Sequence, residues 1–273
     1  MNSINSIILI VNREKCSDPV YLPKLIEYLK SRSCAVRMYD IGTDAVPPRS
    51  DMALILGGDG SIISAAAHLA PLGIPMLGIN FGRVGYLAEL ESTDTELLSR
   101  ILDGEYVIEE RMMLDCRIVR RDGAHISMPP ALNDIVLSNG PVARLLTFDV
   151  FCDGVIIEQC RADGMIIATP TGSTAYSMSA GGPILSPVLD AFCLTPICPH
   201  SLNNRPVIVP GDSVIGISGV CAGGNSVYIT VDGHRAERLD FGDTVTLSRS
   251  PSKARLVRLK NDSFLATLRA KLR

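Results

Sequence analysis

Apolar residues in the first third of the chain fall into short unbroken runs separated by stretches with helical spacing. Ile7 to Val11 reads as a buried strand, Pro19 to Lys30 as a helix, and Ala35 to Tyr39 as a second strand. Asp40 to Asp51, which carries Gly42, Pro47 and Pro48, reads as a loop. Ala53 to Leu56 then forms a buried strand running straight into Gly57-Gly58-Asp59-Gly60, and a helix follows from Ser61 to Ala70. Pro75 to Ile79 reads as a strand and Thr93 to Leu102 as a helix closed by Gly104. Strands alternating with helices in this way predict a parallel, Rossmann-like α/β sheet.

From about Tyr106 the period changes. Leu114 to Arg120, Ile135 to Leu137, Phe148 to Phe151, Met165 to Ala168, Pro206 to Val209, Val227 to Val231 and Thr244 to Leu247 are strand-length runs, and Asp122-Gly123 and Asp153-Gly154 are hairpin turn signals. The expectation is an α/β domain over residues 1–105, a β-rich, sandwich-like domain over 106–255, and a tail over 256–273. In that tail Phe264, Leu265, Leu268 and Leu272 form an amphipathic helix that packs back.

Composition narrows the function. With 47% hydrophobic and 20% charged residues in 273, the chain is an ordered globular protein. A net charge of −3 without a Lys/Arg run gives no footprint for a nucleic-acid backbone. The apolar stretch at Ile7 to Val11 is too short for a signal-peptide core or a bilayer span, so no membrane partner is expected. Eight cysteines without a C-x-x-C pair or zinc spacing read as reduced, mostly packed thiols of a cytoplasmic protein.

Three segments carry candidate chemistry. Gly57-Gly58-Asp59-Gly60 lies between a strand and a helix, where glycines let backbone approach a phosphate and the helix directs free N–H groups at an anion. It matches neither the dinucleotide nor the Walker pattern, and by itself Asp59 fits a helix N-cap as well. Asp163-Gly164 opens a strand that ends in Thr169-Pro170-Thr171-Gly172-Ser173-Thr174-Ala175-Tyr176-Ser177, a loop dense in hydroxyls and backbone donors. Asn133-Asp134 sets an amide and a carboxylate at a strand edge, where a carboxylate can accept from sugar hydroxyls, although such pairs are more often turns. His68, His125, His200 and His234 lie apart from one another at no metal spacing; His234 alone, after Asp232-Gly233, is a candidate ligand contact.

Together these residues resemble the NAD kinase family, from about Ile7 to near Leu247. The GGDG turn is shared with diacylglycerol and sphingosine kinases. The stretch from Asp163 to Pro183, the Asn133-Asp134 pair, Pro199-His200-Ser201-Leu202 and Arg205-Pro206 resemble elements of NAD kinases themselves.

The resemblance implies ATP-dependent phosphorylation of the adenosine-side 2′-hydroxyl of NAD, giving NADP. It makes Asp59 the catalytic base, with Gly57, Gly58 and Gly60 near the donor phosphates and Gly60 also touching NAD. Asn133 and Asp134 become ribose and adenine contacts, Arg144 a charged contact, Arg161 and Asp163 flanking residues of the NAD site, and Thr174, Ala175, Tyr176, Ser177, Met178 and Ser179 the lining of the adenine pocket. It further implies Mg²⁺ arriving with ATP and no dedicated protein metal site, polyphosphate as the alternative donor, and a homodimer or homotetramer. Ser61 stands where many members have Thr, Ser64 where a basic residue is common, and His234 where the family has Gln. The competing readings are a diacylglycerol-type lipid kinase and a non-catalytic NAD-binding sensor.

Overall fold

The computed structural model describes residues 4–16, 18–43, 45–81, 85–140, 145–201, 204–221, 226–259 and 264–271. In chain order the elements are β1 (Ser6–Val11), α1 (Tyr21–Ser31), β2 (Ala35–Met38), β3 (Met52–Leu56), α2 (Asp59–Leu69), β4 (Met76–Asn80), β5 (Leu90–Glu91), α3 (Thr95–Leu102) and β6 (Val107–Val119). There follow β7 (His125–Ser127), β8 (Asp134–Asn139), β9 (Leu146–Cys152), β10 (Val155–Ala162), β11 (Gly164–Ala168), α4 (Tyr176–Ser179) and β12 (Ala191–Ile197). The last are β13 (Val207–Pro210), β14 (Ile215–Cys221), β15 (Val227–Val231), β16 (Arg235–Leu239), β17 (Thr244–Arg258) and α5 (Phe264–Lys271). The chain divides into two compact units, Met1–Arg111 with Lys253–Arg273, and Met112–Ser252. Both divisions therefore fall inside long strands, β6 and β17.

The first unit is a parallel sheet in which β2, β1, β3, β4 and the end of β17 are successive neighbours. Alternate residues of its central strands face opposite layers, as the two-residue period of a strand requires. Ile7 and Leu9 of β1 join Leu54, Leu56, Leu77 and Ile79 in a cluster with Leu25 and Leu29 of α1 and Leu98 and Ile101 of α3. Against the other face lies α2, whose Ile62, Ala65, Ala66 and Leu69 are buried. Both faces being covered, β3 and β4 are buried at every position, so they read in sequence as continuous apolar runs.

The second unit is a sandwich. One sheet runs β13-β12-β11-β8-β15-β16, antiparallel at every pairing. The other places β10, β9, β14 and the start of β17 side by side, again antiparallel. Phe148, Val150, Ile215 and Leu247 from one sheet share a single core with Ile135, Leu137, Ile167, Phe192 and Ile229 from the other. The hairpin turns form where the Asp-Gly pairs stand: Asp153 and Gly154 have φ of 52° and 80°, and Asp232 and Gly233 have φ of 49° and 69°, as primed hairpin turns require.

In the tail α5 forms, with Phe264, Thr267 and Leu268 half-buried at helical spacing and Leu265 69% exposed. One contact of the helix is the Lys271 ammonium, 4.5 Å from the centre of the Tyr86 ring. Leu272 lies outside the described residues. All eight cysteines are free, four of them buried, and Cys198 and Cys221 are exposed.

Candidate functional site

In the α/β unit the site is built at the carboxyl end of β3. Gly57 donates its N–H to Ile79 at 2.9 Å, the chain turns at Gly58, and α2 begins with Asp59 itself, two residues before the helix start read from the sequence. Asp59 does not cap its own helix. Its carboxylate instead reaches the segment leading into β5, accepting from the backbone N–H of Tyr86 at 2.6 Å on Oδ2 and from those of Leu87 and Ala88 at 3.1 and 3.4 Å on Oδ1. Gly85 makes that approach possible, since a Cβ there would stand 1.8 Å from Asp59 Oδ1. A carboxylate offers about four acceptor positions, so the free one lies on Oδ2. The Tyr86 phenol is pushed up by burial and then by the Asp59 charge.

The rest of the turn is open on one side and braced on the other. Among the described residues nothing lies within 4 Å of the place a Gly60 side chain would occupy, and Gly60 itself is exposed at the start of α2. Ser61 is buried and accepts from the Asn12 amide at 3.3 Å, so its hydroxyl braces the turn against β1. Ser64 donates back to the Gly60 carbonyl at 3.0 Å. The family's basic residue is thus absent from α2, yet a cation is present: Lys15 Nζ lies 2.8 Å from where a Gly58 side chain would begin.

In the β-sandwich unit three segments converge. The Thr169 hydroxyl donates to the Leu132 carbonyl at 2.6 Å and its N–H to the Asn133 carbonyl at 2.8 Å. Gly172 lies flat on Asn133, where a Cβ would be 2.0 Å from the carbonyl oxygen. From the β15–β16 turn, Asp232 accepts the N–H groups of Leu132, Asn133 and Asp134 at 2.8, 2.8 and 3.0 Å. Asp134, 5% exposed, is pushed up to about 7, by burial first and by the Asp232 charge second. Asp232 is also raised: burial outweighs its three backbone donors and the nearby His234.

The structure thus places Asn133, Asp134 and the loop from Thr169 to Thr174 together. Thr174 and Ala175 are half-buried, Tyr176 is 47% exposed, Met178 is half-buried and Ser179 is exposed. Ser177 is fully buried, with its hydroxyl 2.9 Å from that of Thr195. Arg161 and Asp163 are not gathered with this cluster. Gly164 pairs with Ser138 while Ala168 pairs with Asp134, so Asp163 lies at the opposite end of β11, about 20 Å from Thr169 at ~3.3 Å per residue. His234 is exposed in the turn beside Asp232, and Arg144 lies outside the described residues. The sequence reading missed Lys15, Gly85 with the N–H groups after it, and the function of Asp232, whose only signal was a hairpin turn.

Among the described residues no three His, Cys, Asp or Glu side chains gather to hold a metal ion, and no helix is long and apolar enough to cross a membrane. The class follows first: a two-unit protein whose α/β half presents phosphate-approaching backbone and a fixed carboxylate, and whose β-sandwich half presents an amide, a carboxylate and a hydroxyl-rich loop, as nucleotide-handling proteins do. Comparison with known proteins makes this particular. Residues 24–106 match the ATP-NAD kinase N-terminal domain and residues 132–259 the ATP-NAD kinase C-terminal domain. The NAD kinase of Carboxydothermus hydrogenoformans is 42% identical over 277 residues, spanning 96% of this chain and 98% of its own. That of Symbiobacterium thermophilum is 40% identical over 277 residues, spanning 97% of each. Among solved structures, yeast NADH kinase complexed with NADH superposes with a TM-score of 0.83 at 26% identity, over 100% of this chain and 88% of its own. An NAD kinase from Archaeoglobus fulgidus in complex with ATP superposes with a TM-score of 0.76, also at 26% identity, over 98% of each chain. The chain belongs to the NAD kinase family.

Proposed function

We infer that this protein is an ATP-dependent NAD kinase, which phosphorylates the adenosine-side 2′-hydroxyl of NAD to give NADP. The observation that carries the reading is the fixed Asp59 carboxylate at the start of α2, with one acceptor position left on Oδ2. Phosphoryl transfer asks the protein to align a hydroxyl with the transferred phosphate, to neutralise charge and to receive a proton. Asp59 orients the hydroxyl and takes its proton as the bond to phosphorus forms, help worth roughly 10²–10⁴ in rate. The open N–H groups around Gly58 and Gly60, with Lys15, bind the donor phosphates. Asn133 and Asp134 hold ribose and adenine, the loop from Thr174 to Ser179 receives the adenine, and Ser177 contributes through backbone because its hydroxyl is turned inward.

Three N–H donors occupy all but one of the Asp59 acceptor positions. This donor set fits a Mg²⁺ held mainly by phosphate oxygens and water, as the ion commonly is beside a triphosphate. When bound, the ion spreads the charge that develops on the phosphates. Polyphosphate is the alternative donor, and we place the protein in the cytoplasm, in keeping with its free cysteines, as a homodimer or homotetramer.

The test is NADP formation from NAD with ATP and Mg²⁺, repeated with polyphosphate, with NADH and with an NAD analogue lacking the adenosine 2′-hydroxyl. NADP is expected from NAD, and no phosphate transfer to the analogue. Phosphate on the analogue would show that Asp59 faces a different oxygen. Transfer to diacylglycerol in place of NAD would identify a lipid kinase, and NAD binding without any transfer would identify a sensor.

A further inference from the structure

The donors that fix Asp59 are themselves held from behind. Arg258, at the end of β17, is 13% exposed. Its Nη1 donates to the Leu87 carbonyl at 3.0 Å and its Nη2 reaches the Tyr86 carbonyl at 3.5 Å. These carbonyls belong to the same two peptide groups whose N–H ends, on Leu87 and Ala88, donate to Asp59 Oδ1. A peptide group is rigid and planar, so gripping its oxygen fixes the direction of its N–H. A cation on the oxygen also polarises the group and strengthens the bond that its N–H makes.

The guanidinium is fixed in turn. Nε donates to Glu109 at 2.8 Å and Nη1 to Glu89 at 3.2 Å, while the other Glu89 oxygen accepts the Leu259 N–H at 2.8 Å. Burial alone raises the Glu109 carboxyl, but Arg111 and Arg258 outweigh it and hold it below its ordinary value, so it stays an anionic partner. The charge on Arg258 is thus oriented from both sides, towards the carboxylates on one and the two peptide oxygens on the other.

We propose that Arg258 is a positioning residue for the phosphoryl transfer, acting on Asp59 through the Tyr86–Leu87 and Leu87–Ala88 peptide groups. The inference rests on the reading of Asp59 as the base, and the experiment separates the two. In the full-length enzyme, R258Q, R258K, D59N and the double variant D59N/R258Q are compared for kcat, for KM of NAD and ATP, and for amide hydrogen exchange at Leu87 and Ala88. R258Q is expected to speed exchange at both amides and to lower kcat by about 10- to 100-fold, the scale of a small misplacement of a reacting group. KM for NAD should stay within about twofold, and in the D59N background R258Q should lower kcat by no more than about twofold further, since both changes act through one carboxylate. R258K keeps the charge but reaches a single carbonyl, so its kcat should fall between wild type and R258Q; should R258Q not fold, R258K carries the same comparison. Unchanged exchange at Leu87 and Ala88, or an equal kcat loss with and without Asp59, overturns the proposal. Near-normal turnover of D59N with faster exchange in R258Q removes Asp59 as the base and leaves the grip of Arg258 on the two peptide groups standing.

Discussion

Asp134 should make the protein less stable as the pH rises, and replacing it should remove that loss. The carboxyl is 5% exposed and faces Asp232, and it is pushed from an ordinary 3.8 up to about 7, by burial first and the neighbouring charge second. An acid raised on folding lends its stability below the unfolded value and loses it as pH climbs through the folded one. Here the loss begins above 3.8 and is complete above about 7. A shift of about three units corresponds to roughly 4 kcal/mol in all, at 1.36 kcal/mol per unit, of which roughly 2–3 kcal/mol falls between pH 5 and 8. Asp232 titrates in concert with it, so the loss belongs to the pair, but D134N removes the like charge whichever carboxyl holds the proton. Urea unfolding of wild type and D134N across that range is the assay. The expected result is that the stability of D134N relative to wild type grows with pH by about that amount, while NAD affinity falls through loss of the carboxylate acceptor. Parallel stability curves, within about 0.5 kcal/mol from pH 5 to 8, would refute the reasoning.

D59N should fold and bind NAD yet lose at least roughly 10² in turnover, the scale of a general base; near-normal turnover in the folded variant would remove it from the mechanism. G85A would set a methyl group 1.8 Å from Asp59 Oδ1, so the carboxylate or the following N–H donors must move, and kcat should fall by about 10²-fold or more. An active G85A enzyme would mean that the contact is not needed in catalysis. K15M removes the ammonium beside Gly58 and should raise KM for ATP by roughly 3- to 10-fold, a charge-assisted contact discounted for its exposure, with KM for NAD unchanged. An equal rise for both substrates would count against a role confined to the donor phosphates.

The layering of both units was readable in sequence for a simple reason. Ile7 to Ile10 and Ala53 to Leu56 are buried on both faces, which writes an unbroken apolar run, while the sandwich strands announce themselves through the Asp-Gly pairs at their hairpins. What the pattern could not supply was the exact course of the long strands. β6 and β17 carry the chain unbroken through both divisions, so the boundary expected at 105 and the one observed at Arg111 are separated by ordinary strand residues, and the divisions are marked by a one-residue slip of the buried alternation, at Met113–Leu114 and between Leu247 and Ser250. The tail helix shows how far such a pattern reaches: of its apolar residues at near-helical spacing, Phe264 and Leu268 are half-buried and Leu265 is 69% exposed, because periodicity tells which residues share a side and not how fully anything covers it.

The site was legible as residue types and illegible as roles. Asp59, Asp134 and Asp232 are three aspartates at the ends of strands; the resemblance singled out the first two, and only the fold brings in the third. Their roles are set by backbone N–H groups, which every residue other than proline carries and no side chain announces. Three such donors on Asp232 turn it into a clamp for residues 132–134, and three on Asp59 fix a carboxylate with one position to spare. Asp134, set beside the clamp, is left as the strained member of the pair. Buried like charges destabilise a fold, so a protein that places them together is better explained by what the second carboxylate binds than by what it holds up. On that reasoning Asp134 is the residue of the β-sandwich unit to test first for a ligand contact, and the stability that D134N restores at high pH measures what the buried pair costs the fold.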